Sequence, residues 1–238
     1  MRVPKPRRRV AVMQPYLFPY VGQYQLARAV DEFVFFDDAA FMKKSYIQRN
    51  SILLAGAPHR FSAPIRDASQ NRTIAEHRFT GEWQPLLTLM QAAYGRAPMY
   101  SRAMPLIESV LRDPDDNVAR KNARSMTTVF DYLGLHQCWS FTSALPAAGG
   151  ATKGQARIVD LCQRLHASAY INPPGGRALY DAEHFAEQGL ALRFLAPRIL
   201  PYAQAAPAFV PHLSIIDLLM HLPAAGVVAQ LDAYTVVD

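Results

Sequence analysis

The stretch from Val10 to Asp38 constrains this chain more than any other. Four apolar residues, Val10 to Met13, are closed off by Arg9 and by Gln14-Pro15, which leaves room for a buried strand and little for a helix. Pro15, Pro19 and Gly22 punctuate the loop that follows. Tyr24, Leu26, Ala27 and Val30 then offer one apolar face and predict a helix over 22–30, and Phe33 to Phe36 is a second strand that runs into Asp37-Asp38. A strand, helix, strand order implies a parallel pair with a right-handed crossover, and such sheets bind ligands outside the carboxyl ends of their strands. Gln14 and Asp37-Asp38 fall at those ends and are expected to face one crevice. The start of the helix adds orphan N–H groups and the positive end of its dipole.

Downstream, Ile52 to Leu54 and Arg60 to Ala63 read as a β-hairpin. Between strand and hairpin lies the densest polar cluster, Lys43, Lys44, Tyr46, Gln48, Arg49 and Asn50, whose cations and amides suit a phosphate or carboxylate as well as a solvated loop. From Gly81 to Gly134 the spacing turns helical: Trp83, Leu86, Leu87, Met90 and Tyr94, then Met104, Ile107, Val110 and Leu111, then a third helix over 117–133. This predicts a helical insertion over about 81–134, in which Tyr94 either lines the cleft or belongs to the core.

The αβ alternation then returns. Strands are expected at 137–141, 168–171 and 190–195, with helices at 154–166 and 181–188. Asn172-Pro173-Pro174-Gly175-Gly176 is a turn without the Gly-x-Gly-x-x-Gly or Gly-Lys-Ser pattern, so it lends little support to a dinucleotide or P-loop site. Four prolines between Ala196 and His212 keep that segment extended. Ser214 to Asp217 matches a capping box, so Ser214 and Asp217 are either a helix cap or site residues. Val227 to Asp238 is read as a further edge strand. The fold class is α/β: a mostly parallel, Rossmann-like open sheet with a helical insertion and a hairpin, in one domain over 10–238.

Charge and cysteines narrow the function classes. The formal net charge of +6 invites a nucleic-acid reading, but Arg2, Lys5, Arg7, Arg8 and Arg9 supply nearly all of it, which describes a basic flexible tail over 1–9 on an otherwise near-neutral chain. No apolar run is long enough for a secretory signal or a transmembrane helix, and Cys138 and Cys162 show no CxxC spacing; both are expected to be buried, inert thiols in a cytoplasmic protein. The seven histidines form no HxH or HExxH pattern.

The sequence MQPYLFPYVGQYQLARAVDEFVFFDDAAFMKKSYIQRNSIL resembles the opening of the WbqC-like family, with its Gln-Pro-Tyr-x-Phe-Pro-Tyr-x-Gly block, downstream Asp-Asp and Asn/Gln-Arg-Asn block. Further likenesses occur at Ala93-Tyr94, near Ser143, at Tyr202 to Phe209 and at Leu213 to Leu219. The resemblance implies a role in biosynthesis of O-antigen or another cell-surface polysaccharide. It favours anion recognition by Lys44, Arg49 and Asn50, and it makes Tyr180 a candidate cleft residue. Phe18-Pro19-Tyr20-Val21-Gly22-Gln23 also has the layout of the HIGH-type loop of nucleotidyltransferases, with Tyr20 and Gln23 in the two histidine places, where neither can offer a histidine's positive charge.

Three functions follow as expectations. The first is a transferase moving an acyl or aminoacyl group from a thioester or carrier-protein donor to an amine, with Asp37 as base, Gln14 and Asn50 orienting the acceptor, and Lys44 and Arg49 on the donor; Tyr16, Tyr20 and Gln23 complete the substrate site. The second is a nucleotidyl- or glycosyl-transferase with Mg²⁺ on Asp37 and Asp38. The third is a nucleic-acid or membrane-surface module steered by the tail. The first needs no cofactor, and no nucleic-acid partner is expected of it.

Overall fold

The computed structural model describes residues 8–145 and 153–238. The sheet begins with β1 (Arg9–Met13), which enters α1 (Val21–Ala29) through the Gln14–Tyr20 loop and returns as β2 (Glu32–Phe35). A separate hairpin, β3 (Arg49–Leu54) and β4 (Ala57–Ser62), precedes α2 (Gln84–Tyr94), α3 (Tyr100–Leu111) and α4 (Val118–Tyr132). Then come β5 (Cys138–Phe141), α5 (Gly154–Arg164), β6 (Ala169–Asn172), α6 (Ala182–Glu187), β7 (Ala191–Pro197), α7 (Ile215–His221), α8 (Ala224–Leu231) and β8 (Tyr234–Val237).

The six-stranded sheet runs β5-β2-β1-β6-β7-β8, with every pairing parallel except β7 with β8. Numbered along the chain, its strands lie in the doubly wound order 3-2-1-4-5-6, which reverses between β1 and β6. The pleat divides the core in two. Ala11, Phe33, Phe35, Ile171 and Leu195 face a large core with α1, α7, α8 and the α2–α4 helices, while Val10, Val12, Val34, Tyr170, Leu192 and Phe194 face a smaller one with α5 and α6.

Several sequence expectations are corrected. The hairpin is longer than expected: its two-residue turn, Ala55-Gly56, has positive φ at both positions (51° and 78°), as the twist of a tight hairpin requires, and Arg49 and Asn50 lie in β3 rather than in a loop. Only Tyr234–Val237 of the C-terminal stretch is strand, because Ala224–Leu231 turns its apolar residues onto α1 as α8. Cys138 is exposed, since it opens an edge strand, whereas Cys162 is buried and burial pushes its thiol up to about 12. Arg8 and Arg9 belong to the folded chain: Arg8 pairs with Glu32, and Arg9 with Asp31 at 3.0 Å. The rest of the expected tail, residues 1–7, lies outside the described residues.

Two buried cross-links fix the helices that later build the site. Lys121 Nζ, on α4, donates to the carbonyls of Val110 and Leu111, which end α3, and of Asp113 just beyond it. Gln25, on α1, donates to the carbonyls of Arg198, Gln230 and Ala233 and so anchors both ends of the C-terminal return. Tyr24 and Tyr170 are fully buried phenols, and burial holds both well above the usual tyrosine value. Their folded values are raised, so the stability they contribute is intact below the unfolded tyrosine value of about 10 and is lost as the pH climbs past it. We expect urea midpoints to fall steeply above about pH 10, and Tyr24→Phe to lessen that slope; an unchanged slope in the variant would remove Tyr24 from the alkaline transition.

Candidate functional site

The Gln14–Tyr20 loop leaves β1 at its carboxyl end and carries a non-glycine residue in the left-handed region, Phe18 at φ 42°. Polar groups from three distant elements hold it there. The Phe18 carbonyl accepts from Asn50 Nδ2 and from Ser214 Oγ, each at 2.6 Å, and its N–H donates to Ser125 Oγ at 2.9 Å. One turn earlier on α4, Asn122 Nδ2 donates to the carbonyls of Pro15 and Ile47, which fastens the loop to the chain entering β3. The Pro19 carbonyl accepts from the Ile215 N–H at the start of α7.

This loop forms one wall of an aromatic cleft of about 210 Å³ lined by Tyr16, Pro19, Tyr20, Tyr46, Asn50 and His212. Gly22 is required by the wall itself, because a Cβ there would come within 2.5 Å of the Tyr20 ring. The Tyr20 and His212 rings lie 5.9 Å apart, and Tyr16 and Tyr46 6.1 Å apart. Burial raises the hydroxyl pKa of Tyr16 and Tyr20, and neighbouring Tyr46 adds to both shifts, so the two phenols remain protonated hydrogen-bond donors near neutral pH. Tyr16 OH reaches Gln14 Oε1 at 3.3 Å, and Gln23 Nε2 donates to the Gln14 carbonyl at 3.2 Å.

Among the described residues, buried side-chain polar atoms without a hydrogen-bond partner are Gln25 Oε1, Gln48 Oε1, Arg49 Nε and Asn122 Oδ1. Unpaired groups of this kind each carry a desolvation cost of about 1–3 kcal/mol.

The predicted site residues thus separate into groups. Gln14, Tyr16, Tyr20, Gln23 and Asn50 are brought together, with Asn50 and Gln23 holding the loop from behind. Ser214 joins them as a second support of Phe18; its Oγ also accepts the Ile216 N–H at 3.3 Å, so the cap is real, but Asp217 does not reach back to complete the box. Asp217 turns the other way, accepting from Tyr94 OH at 2.9 Å, Tyr202 OH at 2.5 Å and Gln204 Nε2 at 2.8 Å beside a second cavity. Lys44 is exposed on a turn at φ 62° and does not line the cleft. Tyr180 packs on Tyr170 and Phe185 in the smaller core, on the other face of the sheet.

Asp37 and Asp38 follow β2 beside the end of β1, with Phe36 N–H on the Met13 carbonyl, yet their carboxylates turn away from Gln14 towards β5. Asp37 is 3% exposed; its Oδ1 accepts the Ser143 N–H at 2.9 Å and its Oδ2 the Ser143 hydroxyl at 2.6 Å. Thr142 Oγ1 sits between Asp37 Oδ1 (3.0 Å) and Asp38 Oδ1 (2.7 Å), and Arg157 binds Asp38 Oδ2 at 2.9 Å. The pair therefore ties the ends of β2 and β5 together and presents one exposed hydroxyl, Ser143.

Sequence reasoning missed His212, Asn122 and Ser125. His212 lay in a proline-rich segment read only as extended. The other two did carry a signal, as polar residues three apart on a face otherwise made of Val118, Ala119, Met126 and Val129.

The fold and cleft define an α/β protein with an aromatic cleft at the carboxyl edge of a doubly wound sheet. The chain belongs to the WbqC-like protein family, whose model matches residues 14–228. It is similar to the uncharacterized protein Rv1507c of Mycobacterium tuberculosis, with 26% identity over 225 residues that cover 91% of this chain and 95% of that protein. No solved structure gives a significant match.

If the Phe18 conformation depends on its two side-chain donors, Asn50→Ala and Ser214→Ala should each speed exchange of loop amides by about tenfold, and the double variant should lose less than the sum. Strict additivity, measured by hydrogen exchange, would mean that the two donors act separately.

Proposed function

We propose that this protein is a transferase of cell-surface polysaccharide or related biosynthesis that moves an acyl or aminoacyl group from an activated donor to an amine acceptor bound in the aromatic cleft. The observation that carries the reading is the cleft: three tyrosines and a histidine walling a small volume beyond the carboxyl end of β1. Aromatic faces suit the apolar face of a sugar ring; the Tyr20 hydroxyl supplies a donor and the Tyr16 hydroxyl, whose proton is turned to Gln14 Oε1, an acceptor that orient it. Asn50 acts on the acceptor indirectly, by fixing the loop that bears those rings. Arg49 keeps the role of cation for an acidic group of the donor because it precedes the cleft residue Asn50 on β3, although it does not itself line the cleft.

Asp37 keeps a role as proton acceptor in this reading, but through Ser143. Neither Asp37 nor Ser143 lines the cleft, so in this reading the acceptor amine extends beyond it to the β2–β5 edge, where its proton passes to Ser143 Oγ as Ser143 passes its own to Asp37 at 2.6 Å. The same engagement disfavours Mg²⁺ at this place, since an ion would have to displace Thr142, Ser143 and Arg157 from the two carboxylates. A nucleic-acid role steered by basic residues has less support, because Arg8 and Arg9 are paired within the fold.

Thermal shifts with acyl-coenzyme A and acyl-carrier thioesters, sugar nucleotides and ATP, each with and without Mg²⁺, test the reading. A ligand at a hundred times its dissociation constant adds about 2.7 kcal/mol. Stabilisation by a thioester without metal is the expected result; stabilisation only by a nucleotide or sugar nucleotide with Mg²⁺ would replace it by nucleotidyl or glycosyl transfer. With the donor known, Asp37→Asn should lower kcat by more than about tenfold while the chain stays folded, and unchanged turnover would take Asp37 out of the mechanism.

A further inference from the structure

The proposed reaction leaves unused a second and larger cavity, of about 870 Å³, lined by Leu53, Gly56, Tyr94, Arg96, Gln204 and His221 among others. The end of α2 and the turn after it form much of its wall, and α7 contributes His221 from its last turn. His221 is 8% exposed there, and its Nδ1 lies 2.8 Å from the Asp217 carbonyl. A carbonyl can only accept, so Nδ1 must carry the proton, which leaves Nε2 of the neutral ring as a lone pair. Among the described residues no protein group meets Nε2.

Asp217 makes this more than a histidine at a helix end. Its carboxylate lies 3.7 Å from His221 Nδ1 and is itself fully buried, held by Tyr94, Tyr202 and Gln204. Burial, reinforced by the Asp217 charge, drives both phenols far above the usual tyrosine value, so they remain donors that keep Asp217 solvated by protein rather than by water. The imidazole is thereby fixed in tautomer and orientation. On the open side of the same cavity stands Arg96, which forms no ion pair or hydrogen bond among the described residues.

We propose that this cavity binds a hydroxyl-bearing organic anion, with its acidic group on Arg96 and one hydroxyl donating to His221 Nε2. The acid is a carboxylate or a phosphate monoester, and the volume falls within the range of sites that enclose a whole small molecule. The inference does not depend on the chemistry of the aromatic cleft.

The test uses the full chain with labelled histidine rings, titrated with D-glucuronate and with glucose 6-phosphate, followed by ring-nitrogen NMR and calorimetry. Glucose and inorganic phosphate serve as the hydroxyl-only and anion-only probes. At least one of the two sugar acids should shift the His221 nitrogens and bind at least about tenfold tighter than either control, and which one does so identifies the acid. Arg96→Met, at an exposed position that leaves the fold alone, should weaken that binding by about tenfold or more, and His221→Phe should do the same if it folds. Tyr20→Ala, which opens the aromatic cleft, should leave it in place. A His221 ring silent to both sugar acids, binding indifferent to Arg96→Met, or binding lost in Tyr20→Ala would each overturn the proposal.

Discussion

The structure depends on the hold that Asn50, Ser125 and Ser214 exert on the backbone of Phe18. A phenylalanine at positive φ costs energy locally, and nothing in its own neighbours demands the conformation. What sustains it is that its carbonyl and N–H are the meeting point of β3, α4 and α7. Those elements arrive from residues 32, 107 and 196 positions away in the chain, so the loop is correct only when the whole fold is. The side chain itself is fully buried, and its burial offsets part of the strain. The Tyr16 and Tyr20 rings inherit their positions from this one residue between them.

The opening of the chain was legible because its signals are local. Val10 to Met13 and Phe33 to Phe36 could be little else than strands, and the order of strand and helix gave a parallel sheet with Gln14 and Asp37-Asp38 at its carboxyl edge. The cleft was legible in part, as Tyr16, Tyr20 and Asn50 were each named and do converge. Which way a carboxylate turns was not. Asp37 and Asp217 both sit where sequence logic put them along the chain, yet each points away from the expected partner because hydroxyl donors from distant segments, Ser143 and Thr142 for one and Tyr94 and Tyr202 for the other, outcompete it. Such donors are recognisable only in three dimensions. The same reason hid α8, whose apolar residues face α1 across nearly the full length of the chain, and His212, whose importance lies wholly in its proximity to Tyr20.

Helix α7 serves two places at once. Its capping residue supports the loop at the cleft, its first turn carries the buried Asp217, and its last turn presents His221 to the larger cavity. A helix fixed at both ends by such different neighbours has little freedom to slide, and substitutions in its apolar residues would be felt on both sides.

The pairing of β1 with β6 has a mechanical consequence. Only two residue pairs, Arg9 with Ala169 and Val10 with Tyr170, join these strands, whereas four join β1 to β2 and four join β6 to β7. The sheet is thus two plates, β5-β2-β1 and β6-β7-β8, sewn by a short seam at the topological switch. Helix α1 lies across that seam in contact with β1, β6 and β7, and Arg8 spans it from Glu32 to the Leu165 carbonyl. A load across the sheet is therefore carried at this line less by the ladder than by α1 and by the shared core in which Val10, Val12 and Val34 join Tyr170, Leu192 and Phe194.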